Sequence, residues 1–343
     1  MFSGDNGQGK TNLLEAIFVI ATLRSFRTAK LADLIAFGAE RAKLGARVWK
    51  DELVRVYEVE LAPGTRKVTL DGKAVRPLAR YFGGFNVVVF TPEDLALPRA
   101  APADRRRFLD RGVFNLRPDY LATAQDYERV LKTRNTVLRQ ASEDRGEGRI
   151  ARRRAEELLE VYDQQLAEIG ARVIEARLAF LGVVRAELAT AFASITRSGL
   201  AASARYVVRS AAVTPDELLA KLSASRIKDF ATSATQVGPH RDDVMFELDG
   251  RDAGTYASQG QLRAIMLAWK TAELSVLGRA HGDLPILLLD DVSSELDPQR
   301  NEFLFEHLAT LAGQCFITTT HPGHVLLRQH RADYRIAKGD ILE

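Results

Sequence analysis

Near the start of this 343-residue sequence, Gly4-Asp5-Asn6-Gly7-Gln8-Gly9-Lys10-Thr11 fits the pattern G-x-x-x-x-G-K-[ST]. The chemistry of such a loop is phosphate binding. Gly4, Gly7 and Gly9, with Asn6 between them, let the backbone wrap closely so that successive N–H groups point at phosphate oxygens. Lys10 then reaches the β- and γ-phosphates, and the Thr11 hydroxyl ligates Mg²⁺. Residues 12–23 are apolar at helical spacing, so the phosphates would lie at a helix N-terminus, where the dipole favours anions. A chance glycine-rich turn also satisfies so short a pattern. The second half of the chemistry lies far downstream. Pro285-Ile286-Leu287-Leu288-Leu289 reads as an apolar strand ending in Asp290-Asp291. A carboxylate at a strand tip beside a phosphate loop, here Asp290, holds Mg²⁺ and its water shell. Asp291 stands where a general base for the attacking water is needed. Together the two halves predict a site for a nucleotide's phosphates and Mg²⁺.

The elements that position these groups follow from the pattern. Residues 1–100 combine the glycine-rich start and its helix with short strand-like runs. In 55–61, Val56, Glu58 and Glu60 alternate with Tyr57, Val59 and Leu61; 68–70 precede the turn Asp71-Gly72; 87–90 are wholly apolar and end at Thr91-Pro92. From about 103 to 195 the character is helical. Leu158, Leu159, Tyr162, Leu166, Ile169, Val173 and Ile174 recur at three- and four-residue steps. A polar break at 142–148 separates two long helices, the pattern of an antiparallel helical hairpin. After about 236 α/β character returns, with Phe246 and Leu248 before an Asp249-Gly250 turn, a helix over 261–277 and the strand 285–289.

Further motifs narrow the class. Ser258-Gln259-Gly260-Gln261 directly precedes the helix and resembles the signature motif of ABC-type ATPases. That resemblance implies that Ser258, Gly260 and Gln261 of one subunit grip the γ-phosphate held by another. Asp290-Asp291-Val292-Ser293-Ser294-Glu295-Leu296-Asp297 is similar to the ABC Walker B and D-loop, which gives Asp297 a place at the nucleotide. Ile317-Thr318-Thr319-Thr320-His321 looks like the strand ending in the switch histidine. His321 is then a γ-phosphate sensor or, as a lone residue, a structural histidine. Cys315 on the same strand reads as a small buried hydrophobe.

The match is closer than a superfamily. The stretch from Gly4 to Ile17, Thr91-Pro92-Glu93-Asp94-Leu95, Asp104-Arg105-Arg106-Arg107-Phe108-Leu109-Asp110, Gly238-Pro239-His240-Arg241-Asp242-Asp243, Ser258-Gln259-Gly260-Gln261 and Leu289-Asp290-Asp291 resemble the RecF family in family order. These are bacterial recombination-repair ATPases with heads like those of SMC and Rad50 proteins. The resemblance implies an α/β fold: an ABC/SMC-type P-loop ATPase head made from both chain ends, residues 1–103 and 236–343, with an inserted α-helical arm at 104–235. The arm allows a helix of about 45 residues, or ~65 Å. Also implied are ATP as the nucleotide, slow DNA-stimulated ATP hydrolysis, ATP-dependent homodimerisation, and sequence-independent DNA binding at gaps or single-strand/double-strand junctions. Implied partners are RecR and RecO, and indirectly RecA, in DNA replication, repair and the SOS response.

This sequence departs from the ABC pattern at two places. Thr91 stands where glutamine is expected after the strand 87–90, leaving Glu93 or Asp94 to serve. Asp291 is one methylene shorter than the transporters' catalytic glutamate, which bears on fast hydrolysis more than on binding. Arg105, Arg106 and Arg107 fit an exposed helix start or DNA contact equally, and residues 238–243 fit a structural turn as readily as a ligand site.

Composition bounds the alternatives. With 46% hydrophobic and 27% charged residues the chain is not disordered or collagen-like. One cysteine cannot form an internal disulfide. No uninterrupted apolar run approaches a membrane span and no signal peptide is visible, so a cytoplasmic protein with no membrane partner is expected. Net charge is +3, yet residues 99–154 hold 15 Lys/Arg against 8 Asp/Glu, an excess of +7 compatible with a DNA footprint or with a solvated helical face. An ABC importer subunit would carry Leu-Ser-Gly-Gly-Gln where Ala257–Gln261 stands. A non-enzymatic clamp differs only in turnover. A fused nuclease would need further clustered carboxylates or metal-spaced histidines.

Finally, only Met1-Phe2-Ser3 precedes Gly4, whereas a P-loop normally follows a buried strand of ~5 residues. In the family about 30 further residues come first. The sequence is therefore expected to lack its true beginning.

Overall fold

The two uninterrupted apolar runs, Val87–Phe90 and Ile286–Asp290, are neighbouring parallel strands. Strands buried on both faces need no polar alternation, which is why these read as continuous apolar sequence. In chain order the computed structural model contains β1 (Phe2–Ser3), α1 (Lys10–Thr22), β2 (Ala42–Lys50), β3 (Leu53–Ala62), β4 (Thr65–Leu70), β5 (Lys73–Ala74), β6 (Val87–Phe90), α2 (Pro92–Leu95), α3 (Pro102–Leu116), α4 (Tyr120–Glu143), α5 (Gly148–Thr196) and β7 (Ala202–Val207). There follow α6 (Pro215–Thr232), β8 (Asp243–Leu248), β9 (Arg251–Asp252), α7 (Ala253–Tyr256), α8 (Gln259–His281), β10 (Ile286–Asp290), α9 (Pro298–Leu311), β11 (Gln314–Thr319), β12 (Tyr334–Ala337) and β13 (Asp340–Leu342). The structure describes residues 1–28, 30–50, 52–76, 80–143, 148–327 and 330–342. Of the predicted polar break, 144–147 lie outside the described residues.

These elements form two units. The first comprises Met1–Ala96, Ser194–Arg197 and Arg263–Glu343. Its main sheet has the order β13-β12-β1-β11-β10-β6, parallel except for the final antiparallel pair. Phe2 is paired with Thr318 on β11 and with Tyr334 on β12, so the first residues sit inside the sheet between strands from the far end of the chain. An antiparallel sheet, β2-β3-β4-β5, lies on the other side of α1. Leu14, Phe18 and Ala21 of α1 pack on Val87, Val89 and Leu288, while Val19 and Ile20 pack on Tyr57, Val59 and Leu61. A helix apolar on two faces is thereby fixed on both, and the loop at its N-terminus inherits that rigidity.

The second unit comprises Leu97–Ala193 and Ser198–Leu262. It therefore takes in 97–103 and 236–262, which the sequence-based division had placed with the head. It contains the helical elements and the small sheet β7-β8-β9. The 49-residue α5 is slightly longer than the predicted 45. Arg153–Thr196 is long and apolar enough by composition to cross a membrane; Leu159, Leu166, Ile169, Val173, Ile174, Val184 and Leu188 along it are buried within the protein. Leu158, placed in the predicted apolar stripe, is instead 49% exposed. It precedes Leu159 by one residue, a 100° step that turns it off the buried face.

Candidate functional site

In the first unit, residues 4–11 join β1 to α1. Gly4 lies against β12 so closely that a Cβ there would sit 2.3 Å from the Ile336 carbonyl oxygen. Gly9 is the N-cap of α1 with φ 99°, a conformation costly for any side-chain-bearing residue. The first turn of α1 carries no acidic residue, leaving its N–H dipoles available to an anion. Lys10 is buried and its ammonium donates to the carbonyls of Gly4 (2.6 Å) and Asp5 (2.8 Å). The cation thus lies over the loop that its own residue closes.

The carboxylate pair sits at the tip of β10, next to the strand that separates it from β1. Thr11 donates its hydroxyl to Asp290 Oδ1 (2.9 Å), and Thr318, paired with Asp290 across the sheet, donates to the same oxygen (2.8 Å). Thr11 and Asp290 together form a hard-oxygen donor set that fits Mg²⁺. Burial pushes the Asp290 carboxyl above its ordinary range; the Thr318 and Thr11 hydroxyls oppose that shift, and the charges of Glu93 and Asp291 add to it. Asp291 has φ 51°, and its amide donates to both the main-chain oxygen and Oγ1 of Thr318 (3.1 Å each). One carboxylate oxygen of Asp291, Oδ1, is buried without a hydrogen-bond partner. An unpaired buried acceptor is costly unless something else donates to it, and a water bound for attack is such a donor.

Thr318 is the residue that sequence reading overlooked. It is fully buried and contacts both aspartates, yet the run Thr318-Thr319-Thr320 offered only strand-forming threonines as a signal. The residues after β6 differ in burial. Thr91 and Asp94 are buried, Asp94 in an ion pair with Lys270 (3.3 Å), whereas Glu93 is exposed and acts on Asp290. His321 follows β11, its amide held by Thr319 Oγ1 (3.0 Å) and its ring 5.3 Å from that of His324. Asp297 accepts from the Arg300 amide (3.1 Å) and pairs with its guanidinium; burial opposes ionisation there, but these contacts win and hold the carboxyl below its usual range. Burial pushes the Cys315 thiol up to about 11, in keeping with an unreactive side chain.

Ser258, Gly260 and Gln261 belong to the second unit, where they begin α8. The Gln261 amide donates to Ser258 Oγ (3.2 Å) and the Ser258 amide to Gln261 Oε1 (2.8 Å), a reciprocal cap. Arg99 donates to the carbonyls of Gly254 (3.0 Å) and Ala257 (2.8 Å), bracing the approach to this cap. The serine is exposed.

The two unassigned motifs meet in the same unit. Arg105 makes a double hydrogen bond to Asp243 (2.9 and 2.7 Å), and Arg106 donates to the Asp242 carbonyl (2.8 Å). Arg105 and Arg106 are half-buried and spend these donors inside the protein, whereas Arg107, paired with Asp104, fits the exposed helix start. Arg177 joins Asp110, Tyr206 and the Pro239 carbonyl, and Tyr206 donates to Asp242 (2.8 Å). His240 Nε2 lies 3.0 Å from the Thr235 carbonyl and must donate to it, so Nδ1 accepts from Tyr127 (2.7 Å). Burial pushes this imidazole down to about 4. Residues 238–241 form a turn, closed by the Arg241 amide on the Gly238 carbonyl (2.9 Å), whose side chains are held by these internal bonds.

The sequence profile of the RecF/RecN/SMC N-terminal domain matches residues 1–338. The DNA replication and repair protein RecF of Myxococcus xanthus (strain DK1622) is 43% identical over 326 residues, covering 92% of this chain and 83% of that one. Its counterpart in Geobacter sp. (strain M21) is 39% identical over 351 residues, covering 100% and 93%. Among solved structures, the recombination mediator protein RecF, solved as RecF-ATPrS in the RecFOR pathway, is similar with TM-score 0.86 at 30% identity, covering 99% of this chain and 90% of that one.

Proposed function

The chain belongs to the RecF family, with the ABC-type ATPase head of SMC-like proteins, and on that premise we propose that it is an ATP-controlled DNA-binding switch in replication and recombinational repair. The observation that carries this reading is the convergence of Thr11 and Thr318 on Asp290 beside Lys10, with an unpaired Asp291 oxygen next to it. In it, Gly4, Asn6, Gly7 and Gly9 present backbone N–H groups to the phosphates and Lys10 pairs with their charge. Thr11 and Asp290 hold Mg²⁺, which when bound neutralises charge on the transferring phosphoryl group. Asp291 orients water and takes its proton; its short side chain suits slow turnover. Ser258, Gly260 and Gln261 complete the site of a second copy, and Asp297 and His321 report the γ-phosphate. Nucleotide state thereby governs a homodimer, and the dimer holds DNA at gaps or junctions.

The head is taken as both chain ends and the arm as the segment between, working with RecR and RecO toward RecA. Contact with DNA is through phosphates, since no base-reading module is recognisable, so affinity falls steeply with salt, with a log–log slope of several units if ~4–8 phosphates are neutralised. The deciding experiment is fluorescence anisotropy on gapped DNA with ATP, ADP and no nucleotide, beside phosphate release with and without DNA. Binding indifferent to nucleotide, or sequence-specific and salt-insensitive, contradicts the proposal. Absent turnover favours the clamp.

A further inference from the structure

Gln8 stands in the middle of the glycine-rich loop and ties it to the other end of the chain. Its side-chain Oε1 accepts the Lys338 amide (2.6 Å), and its main-chain oxygen accepts the Gly339 amide (3.0 Å). Lys338 and Gly339 are the two-residue turn between β12 and β13, whose ladder closes with Ala337 opposite Asp340. Both have positive φ, 53° and 88°, as the tight hairpin turns that match strand twist require. Glycine adopts that conformation freely and lysine does not. The turn as built aims two successive N–H groups at one residue. The same hairpin meets the loop again at Gly4, where the Ile336 carbonyl leaves no room for a side chain.

A phosphate loop that turns its N–H groups inward leaves carbonyls facing outward, and each needs a donor. Here the donor for Gln8 comes from a C-terminal hairpin that touches neither Lys10 nor Asp290 through any contact described above. We propose that Gln8 and the turn Lys338-Gly339 form a clamp that positions the phosphate loop, so that nucleotide occupancy and the order of the C-terminal hairpin are coupled. Gln8 is then a positioning residue: it acts through the backbone of Gly7 and Gly9, and the Lys338 side chain plays no part. The clamp rests on the nucleotide-site reading of residues 4–11, and its test separates the two.

The test uses the full chain, wild type and two variants, Gln8→Ala and Lys338→Gly. Hydrogen exchange of the Lys338 and Gly339 amides is followed with and without Mg²⁺-ATP, with ATP affinity and thermal melting measured in parallel. ATP should slow exchange at both amides in the wild type. Gln8→Ala should speed exchange at Lys338 even without nucleotide and weaken ATP binding about fivefold, the effect of one lost hydrogen bond, with melting lowered by no more than a few degrees. Lys338→Gly keeps both amides and relieves the strained φ, so its ATP affinity should equal or exceed that of wild type. Wild-type ATP affinity in Gln8→Ala, or ATP-independent exchange at both amides in the wild type, overturns the clamp. Should Gln8→Ala fail to fold, the wild-type exchange measurement alone decides. If the wild type does not bind ATP, the nucleotide reading falls by itself, and the nucleotide-free exchange of Gln8→Ala still decides whether the clamp exists.

Discussion

Replacing Thr318 by valine isolates the contact on which both aspartates converge. Valine matches the shape of threonine and suits a strand, so the change deletes a hydroxyl with little repacking in a fully buried position. Asp290 Oδ1 then keeps only the Thr11 hydroxyl, while the Asp291 amide keeps the Thr318 main-chain oxygen at 3.1 Å. A hydrogen bond to a charged group is worth about 2 kcal/mol and to a neutral one about 1 kcal/mol. Burial already raises the Asp290 carboxyl, and loss of the Thr318 donor raises it further. A carboxyl with a raised folded-state pKa binds its proton more tightly when folded; the stability this gives is complete below the unfolded pKa and is lost as pH rises through the folded one. The variant should therefore be destabilised by about 2 kcal/mol where Asp290 is ionised and by about 1 kcal/mol where it is protonated. Denaturant melts of metal-free protein across a pH series from neutral to acid read this difference directly, the loss shrinking as pH falls through the Asp290 titration, and Thr318→Ser should restore the wild-type profile. A pH-independent loss, or none, would refute the assignment of Thr318 as the partner that keeps Asp290 ionised.

Three further outcomes are expected. Ser258→Arg should abolish ATP-dependent dimerisation in the ultracentrifuge while monomer ATP binding persists, with at most ~1 kcal/mol lost from the cap on Gln261. Asp291→Asn should bind ATP, accumulate the dimer and release no phosphate in a single-turnover assay, whereas Lys10→Met should fail at binding; equal turnover by Asp291→Asn and wild type would remove the base assignment. His240, held near 4 against 6.5 when unfolded, stabilises the protein above pH 6.5, and that contribution, of order 3 kcal/mol, is lost as pH falls from 6.5 toward 4. His240→Gln should flatten this part of the stability curve.

The parts of the fold legible in sequence were those with a local cause. The loop 4–11, the apolar strands β6 and β10 and the helical spacing of α5 each announce themselves within a dozen residues. What stayed hidden depends on strand order. Thr318 matters because β11 lies between β1 and β10, and no local pattern states that. Glu93 and Asp94 were indistinguishable until burial paired Asp94 with Lys270 and left Glu93 facing Asp290. The internal partners of Arg105 and Arg106 were hidden for the same reason: a run of like charges looks solvated unless Asp242 and Asp243, more than a hundred residues on, are known to meet it. Their pairing also means that part of the basic excess in 99–154 is neutralised internally.

The placement of β1 has a consequence for synthesis. The amino group of Met1 donates to the carbonyl of Ala332, 331 residues away, and Phe2 is bracketed by Thr318 and Tyr334. At ~5–20 residues per second, β1 waits about 15 to 65 s on the ribosome for the strands that flank it. The second unit, apart from the four residues Ser194–Arg197 that join the first, is complete once residue 262 has emerged. Its residues thus emerge between the two halves of the first unit. Through that interval the face of α1 formed by Leu14, Phe18 and Ala21 lacks Leu288 of the parallel sheet, which makes the newly made α1 segment a natural client for chaperones.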